Sequence, residues 1–125
     1  TIMDSRGICP DGWHIPTKQE METLIEYLGG NDIAGDKMKV PGNTYWRNNS
    51  TGANNESGFN AKGGGFRTFN SFSNMHLYGN WWTATESEQV STRAYVLSLF
   101  HEYAGSSLGA WITKDYGLSV RCIKN

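Results

Sequence analysis

The sequence predicts an α+β domain with one or two N-terminal helices, a long irregular middle region and a small antiparallel sheet that pairs N- and C-terminal strands. Three observations carry this. A capped, amphipathic segment begins at Thr17. The closing stretch Gly117–Ile123 alternates Leu118, Val120 and Cys122 with Ser119, Arg121 and Ile123. Between them, Asn, Gly, Ser and Thr dominate from Asn43 to Asn80.

The helix is the best-defined element. Thr17-Lys18-Gln19-Glu20 is a capping box, in which the hydroxyl and the carboxylate each satisfy a backbone donor left free at the helix start. Met21, Leu24, Ile25 and Leu28 follow at i, i+3, i+4 and i+7, one apolar stripe, and Gly29-Gly30 supplies the left-handed stop. Asp32 is placed to cap a second, shorter helix through Ile33, Ala34 and Met38, weakened by Gly35 and ended by Pro41-Gly42.

In the middle region Trp46, Phe59, Phe66, Phe69 and Phe72 are spaced irregularly. A disordered linker lacks such rings, whereas a structured loop offsets its ordering cost by burying them. Gly63-Gly64-Gly65 has neither dinucleotide-binding spacing nor a following lysine, and reads as a backbone bend. Trp81-Trp82 open the last third. On a strand they point to opposite faces, so one belongs to the core. Arg93–Phe100 favours the extended state, Gly105–Gly109 reads as a turn, Ala110–Thr113 as a further strand, and Asp115–Gly117 as the turn into the closing one. The sheet so assembled has about three short C-terminal strands.

At 125 residues, 38% of them hydrophobic, the chain is sized for one domain, residues 1–125, with a sizeable core. A net charge of −1 with no Lys/Arg block argues against nucleic acid or a polybasic membrane surface as partner. No apolar run reaches the length of a membrane span. TIMDSRGIC has neither a basic nor an apolar leader region, so the chain reads as mature or excised. Of the two cysteines, Cys9 lies near one end and Cys122 near the other, so an intramolecular disulfide would tie the first strand to the last and fit a secreted protein. Two separate buried thiols in a cytosolic protein are the alternative.

Four blocks in order, CPDGWHIPTKQEMETLIEYLGG, TGANNESGFNAKGGGFR, NWWTATE and GLSVRCIKN, resemble the Fibrobacter succinogenes major paralogous domain family over nearly the whole chain. The first block also resembles the wider group that includes formylglycine-generating enzymes. The resemblance implies a C-type lectin-like fold, in which first and last strands are neighbours and Cys9 and Cys122 are bonded. It also implies surface-exposed or lipid-anchored proteins of gut-type Bacteroidetes, most without an assigned activity. Some members resemble the variable proteins of diversity-generating retroelements, whose C-terminal third is changed to make new binding surfaces. Asn80–Asn125 is the matching third here.

Within that third, Phe100-His101-Glu102-Tyr103 and Trp111-Ile112 place large side chains on adjacent positions, which a strand packed on one core cannot all bury. Leu97, His101, Tyr103, Trp111, Ile112 and Tyr116 are therefore expected to form one exposed ligand-binding patch, the aromatic members supplying binding hot spots. The ligand is an extracellular protein or glycan. The alternatives are a structural or interaction domain without its own ligand, and an enzyme related to the formylglycine-generating group. Saturable, competable binding separates the first two, and a pocket of perturbed titratable groups would mark the third.

Enzyme chemistry is otherwise weakly represented, and the chain is read as a non-enzyme with no cofactor and no metal. His101-Glu102 begins like a zinc-protease helix, but Gly105 stands where the second imidazole belongs. His14 is read as a hydrogen-bonded structural histidine, and His76 has no partner at ligand spacing. Asn54, Asn55 and Glu56 offer oxygens either to the loop backbone, the favoured role, or to a calcium ion. Asn48, Asn49 and Asn55 head formal glycosylation triplets and are read as loop chemistry.

Overall fold

The computed structural model describes residues 7–125. The chain is α+β. It runs β1 (Trp13–His14), α1 (Lys18–Tyr27), α2 (Ala34–Met38), β2 (Phe66–Arg67), β3 (Phe72–Ser73), β4 (Tyr78–Glu86), β5 (Arg93–Phe100), β6 (Ser106–Thr113) and β7 (Ile123–Lys124). β4, β5 and β6 form a central antiparallel sheet, β2 and β3 a short hairpin, and β1 pairs antiparallel with β7.

The capping box of α1 is present in full. Glu20 N–H donates to Thr17 Oγ1 at 3.1 Å and Thr17 N–H to a Glu20 carboxylate oxygen at 2.9 Å. The stripe buries Met21, Ile25 and Leu28. Gly29 and Gly30, at φ of 104° and 102°, then close the last turn, Gly30 N–H donating to Ile25 O at 2.9 Å.

The second helix departs from expectation at its start. Ile33, not Asp32, precedes its first turn, and no side chain caps it. Tertiary contact holds it instead: Asp36 N–H donates to Ala104 O at 2.9 Å. Gly35 is the residue that permits this crossing, because a Cβ there would overlap the Gly105 carbonyl, a backbone atom that cannot swing aside. Gly35→Ala is accordingly expected to destabilise the fold by about 1–3 kcal/mol, as overpacking does. A urea midpoint equal to that of the parent would contradict this crossing.

The middle region is ordered around two buried rings, Trp46 and Phe59. Trp46 Nε1–H donates to Ala61 O at 2.9 Å, satisfying its one polar group. Phe69 and Phe72 do the opposite, projecting from the β2–β3 hairpin at 91% and 75% exposure, so only part of the ring surface offsets the ordering cost. The Gly63–Gly65 bend brings backbones together: a Cβ on Gly63 would meet Tyr45 O and the His76 backbone.

One face of the central sheet is packed against the helices and the other in part against the closing segment. Trp81, Leu97 and Leu99 join α1, α2, Trp46 and Phe59 in the main core. Trp82, Ala94 and Val96 form a second cluster with Ile112, Tyr116, Leu118 and Val120. The two tryptophans do point opposite ways, but both are buried, at 6% and 5%, because the closing segment covers the second face. That segment is not one continuous strand. Gly117 bridges to Arg67 and Ser119 to Trp81, and only Ile123–Lys124 is a regular strand, so the period of two persists while the partner changes along it. Gly105–Gly109 is likewise not a turn, since β6 begins at Ser106; Gly109 lies beneath the Trp111 ring, which occupies the space a side chain would need.

Cys9 and Cys122 are bonded, with Cα atoms 5.8 Å apart. They flank the β1–β7 pair rather than lying within it. His14 fastens the same seam. Its Nδ1 lies 2.6 Å from Asn125 Oδ1 and its Nε2 3.0 Å from the Glu20 carboxylate, an arrangement in which a protonated ring donates from both nitrogens. The Asn125 bond first and the Glu20 carboxylate second raise the His14 pKa above 6.5. A group with a raised folded pKa lends stability that is fully present below its unfolded pKa and is lost as pH rises through the folded one. The melting-temperature gap between the parent and His14→Gln should therefore be widest in mildly acidic buffer and close on the alkaline side. A gap independent of pH would refute the assignment.

Candidate functional site

The second face of the central sheet is only half covered. The rung Trp82–Val96 lies under the closing segment, while the next two on that face, Asn80–Ser98 and Tyr78–Phe100, floor an open groove of about 610 Å³. That volume falls within the range of roughly 300–1,000 Å³ typical of small-molecule sites. Its floor is polar at one rung and aromatic at the next. Ser98 Oγ–H donates to Asn80 Oδ1 at 2.7 Å, and the Tyr78 and Phe100 ring centroids are 4.8 Å apart. Phe66, from the β2–β3 hairpin, stacks on Tyr116 at 5.8 Å and closes one side.

Four of the six predicted residues meet there: Tyr103, Trp111, Ile112 and Tyr116 all line the groove. Tyr103 and Trp111 are the exposed pair, at 59% and 48%. Adjacent Trp111 and Ile112 share one groove because the β5–β6 register slips between Ala94 and Val96. An extra residue at such a bulge breaks strict alternation. This is the physical source of the large neighbouring side chains, which do not need to point to opposite faces.

Leu97 and His101 are corrections. Leu97 is fully buried in the main core, because on β5 the positions Leu97 and Leu99 face the helices while Ser98 and Phe100 face the groove. His101 is buried as well, its Nδ1 lying 2.5 Å from Arg47 O. It braces the segment leading to Tyr103 rather than meeting a ligand. Phe66, Tyr78, Asn80, Ser98, Phe100 and Ser107 line the groove and were missed. Counting in twos from Trp82 and Val96 would have found the β4 and β5 members.

The connection carrying Tyr103 is held by a lysine. Lys39 is fully buried, and its ammonium lies within 3.1 Å of Ser50 Oγ and of the carbonyl oxygens of Phe100, His101 and Tyr103. Asp36 Oδ1 is 3.7 Å away. Burial pushes the Lys39 pKa down, opposed by Asp36. Lys39 thus acts on the groove as a positioning residue, fixing the backbone from which Tyr103 projects.

The other candidate sites are occupied by structural bonds. Asn54 Oδ1 accepts from Glu56 N–H and Asn55 Oδ1 from Asn60 N–H, both at 2.9 Å, and Glu56 lies 3.6 Å from Lys37 Nζ. These bonds are the backbone role expected of the loop. Among the described residues no group of three or more His, Cys, Asp or Glu side chains is placed to hold a metal ion, and no helix is long and apolar enough to cross a membrane.

The molecule is thus an α+β domain with a disulfide at its terminal seam and an aromatic groove on its C-terminal face. The chain belongs to the Fibrobacter succinogenes major domain family, which it matches over residues 1–124. Comparison with curated proteins and with solved structures gave no match.

Proposed function

We propose that this chain is an extracellular ligand-binding or adhesion module of a bacterial surface protein, built on a C-type lectin-like fold and taking a protein or glycan through its C-terminal face. The observation that carries the reading is the groove: two half-exposed aromatic side chains, Tyr103 and Trp111, stand on a braced scaffold beside the half of a sheet face that the closing segment leaves open among the described residues. Such rings bury much area at low entropic cost. The disulfide fits an oxidising compartment. Most of the lining belongs to Asn80–Asn125, the third that a retroelement-diversified protein changes. A reverse-transcriptase gene beside a near-copy of the segment encoding those residues is the test of that finer reading.

The test of binding is a glycan array run beside a protein pull-down. Tyr103→Ser and Trp111→Ser are expected to move stability by no more than about 0.5 kcal/mol, as exposed substitutions do, while reducing capture at least about tenfold, as loss of a binding hot spot does. Leu97→Ser, in the core, should instead lose capture by unfolding. Saturable binding that survives both groove substitutions would move the ligand site elsewhere.

A further inference from the structure

The groove's chemistry narrows the ligand, granted that the groove is the ligand site. Among the described residues, none that lines the groove is Asp, Glu, Lys, Arg or His. Its walls are rings and its floor and rim carry uncharged polar side chains, Asn80, Ser98 and Ser107. We infer that the groove takes a neutral saccharide, stacked on Trp111 and read by the hydroxyl of Ser98.

Three other ligand classes fit less well. A phosphorylated, sulfated or uronate-bearing ligand would bring charge into a site with no opposite charge to meet it, which is costly once water is displaced. An acyl chain would cover the Ser107 hydroxyl and the acceptor side of Ser98 Oγ and offer neither a hydrogen bond. A peptide that binds as an added strand needs a free sheet edge for its main-chain hydrogen bonds. The floor here is a sheet face, whose main-chain groups are already engaged in the β4–β5–β6 ladder. A pyranose instead presents apolar C–H faces to rings and hydroxyls around its rim, and so matches both halves of the lining.

The hydrogen-bond pattern adds a direction. Ser98 gives its proton to Asn80 Oδ1, and Asn80 is itself buried at 4% exposure, with Nδ2 3.5 Å from Gly65 O. Ser98 Oγ is therefore held as an acceptor for a hydroxyl donated by the ligand, and Asn80 is the positioning residue that fixes it. With no carboxylate or histidine in the described lining to hold a cation, recognition should be insensitive to chelators.

The experiment titrates the intact, disulfide-bonded chain with neutral hexose trisaccharides, and in parallel with sulfated and uronate-bearing ones, following tryptophan fluorescence and calorimetric heat. The expected result is saturable binding of at least one neutral trisaccharide, unchanged by EDTA, with affinity at least tenfold lower for the charged counterparts. Trp111→Phe should remove most of the fluorescence change while keeping the heat, and Ser98→Ala should weaken binding at least tenfold in a chain that still folds, its melting temperature lowered by loss of the bond to Asn80. If Ser98→Ala proves unstable, Ser98→Thr, which keeps the oxygen, should restore folding while the added methyl still weakens binding. A preference for charged glycans overturns the inference, as does a neutral ligand whose affinity Trp111→Ala and Ser98→Ala both leave unchanged. A neutral-glycan array without a saturable signal also overturns it. If a protein partner is then captured in a Trp111-dependent way, the binding-module reading stands and only the saccharide falls. If neither is captured, both fall.

Discussion

Breaking the Cys9–Cys122 bond is expected to cost about 4–5 kcal/mol, which for a chain of this size is roughly 15–20 °C in melting temperature. The size of the effect follows from the loop it closes. The two residues are 113 positions apart, so the bond removes nearly the whole chain's freedom from the unfolded ensemble. The native structure adds a local reason. β1 and β7 are two residues each, far too short to stay paired unaided, and the bond sits beside them. Two measurements check this: melting curves of the oxidised chain and of Cys9→Ser/Cys122→Ser, and hydrogen exchange at the β1–β7 amides. The variant should lose protection there first, while the central sheet stays protected until global unfolding. Superimposable melts, or mass spectra showing two free thiols in protein made under oxidising conditions, would refute the expectation.

Features set by near neighbours in the chain were legible before the fold was known. Thr17 and Glu20 cap α1 because the partners are three residues apart, and the Met21–Leu28 stripe needs only helical geometry. The opposite orientation of Trp81 and Trp82 needs only the pleat. What failed to read through was set by residues distant in sequence. Gly35 and Gly105 looked like helix weakener and turn former, yet a side chain on Gly35 would meet the Gly105 carbonyl, and one on Gly105 would meet Asn31 O and the Tyr103 ring. Leu97 lies in a run, Val96-Leu97, so apolar that either parity can face the core, and it is the packing of the helices that places it there. Trp111 and Ile112 reached the right groove for an incomplete reason, since the register slip that brings them together belongs to the pairing of β5 with β6. Lys39 gave no signal at all, because lysine almost never lies fully buried without partners, and three of its partners are carbonyls more than 60 positions away.

That lysine carries the other large expected effect. Replacing Lys39 with Met keeps an unbranched chain of similar length in the same space but removes the ammonium. It leaves the carbonyl oxygens of Phe100, His101 and Tyr103 without that donor, and Asp36 without its cation. Taking one partner from a buried charged cluster costs about 3–5 kcal/mol, more than the intact cluster is worth, because the groups left behind stay desolvated. Lys39→Arg should recover little, since a guanidinium is larger than the cage and its planar fork does not match oxygens gathered around one nitrogen. The loss should also have a local signature. His101 still holds Arg47 O, so the segment would loosen chiefly at Tyr103, on the groove wall. The expected outcome for Lys39→Met is a urea midpoint lowered to match that cost, with faster hydrogen exchange in the β5–β6 connection at denaturant concentrations where the sheet is still intact. An unchanged midpoint would mean that water or a rearranged backbone replaces the ammonium, and the connection would then owe its shape to the Gly35–Gly105 crossing and the His101–Arg47 bond.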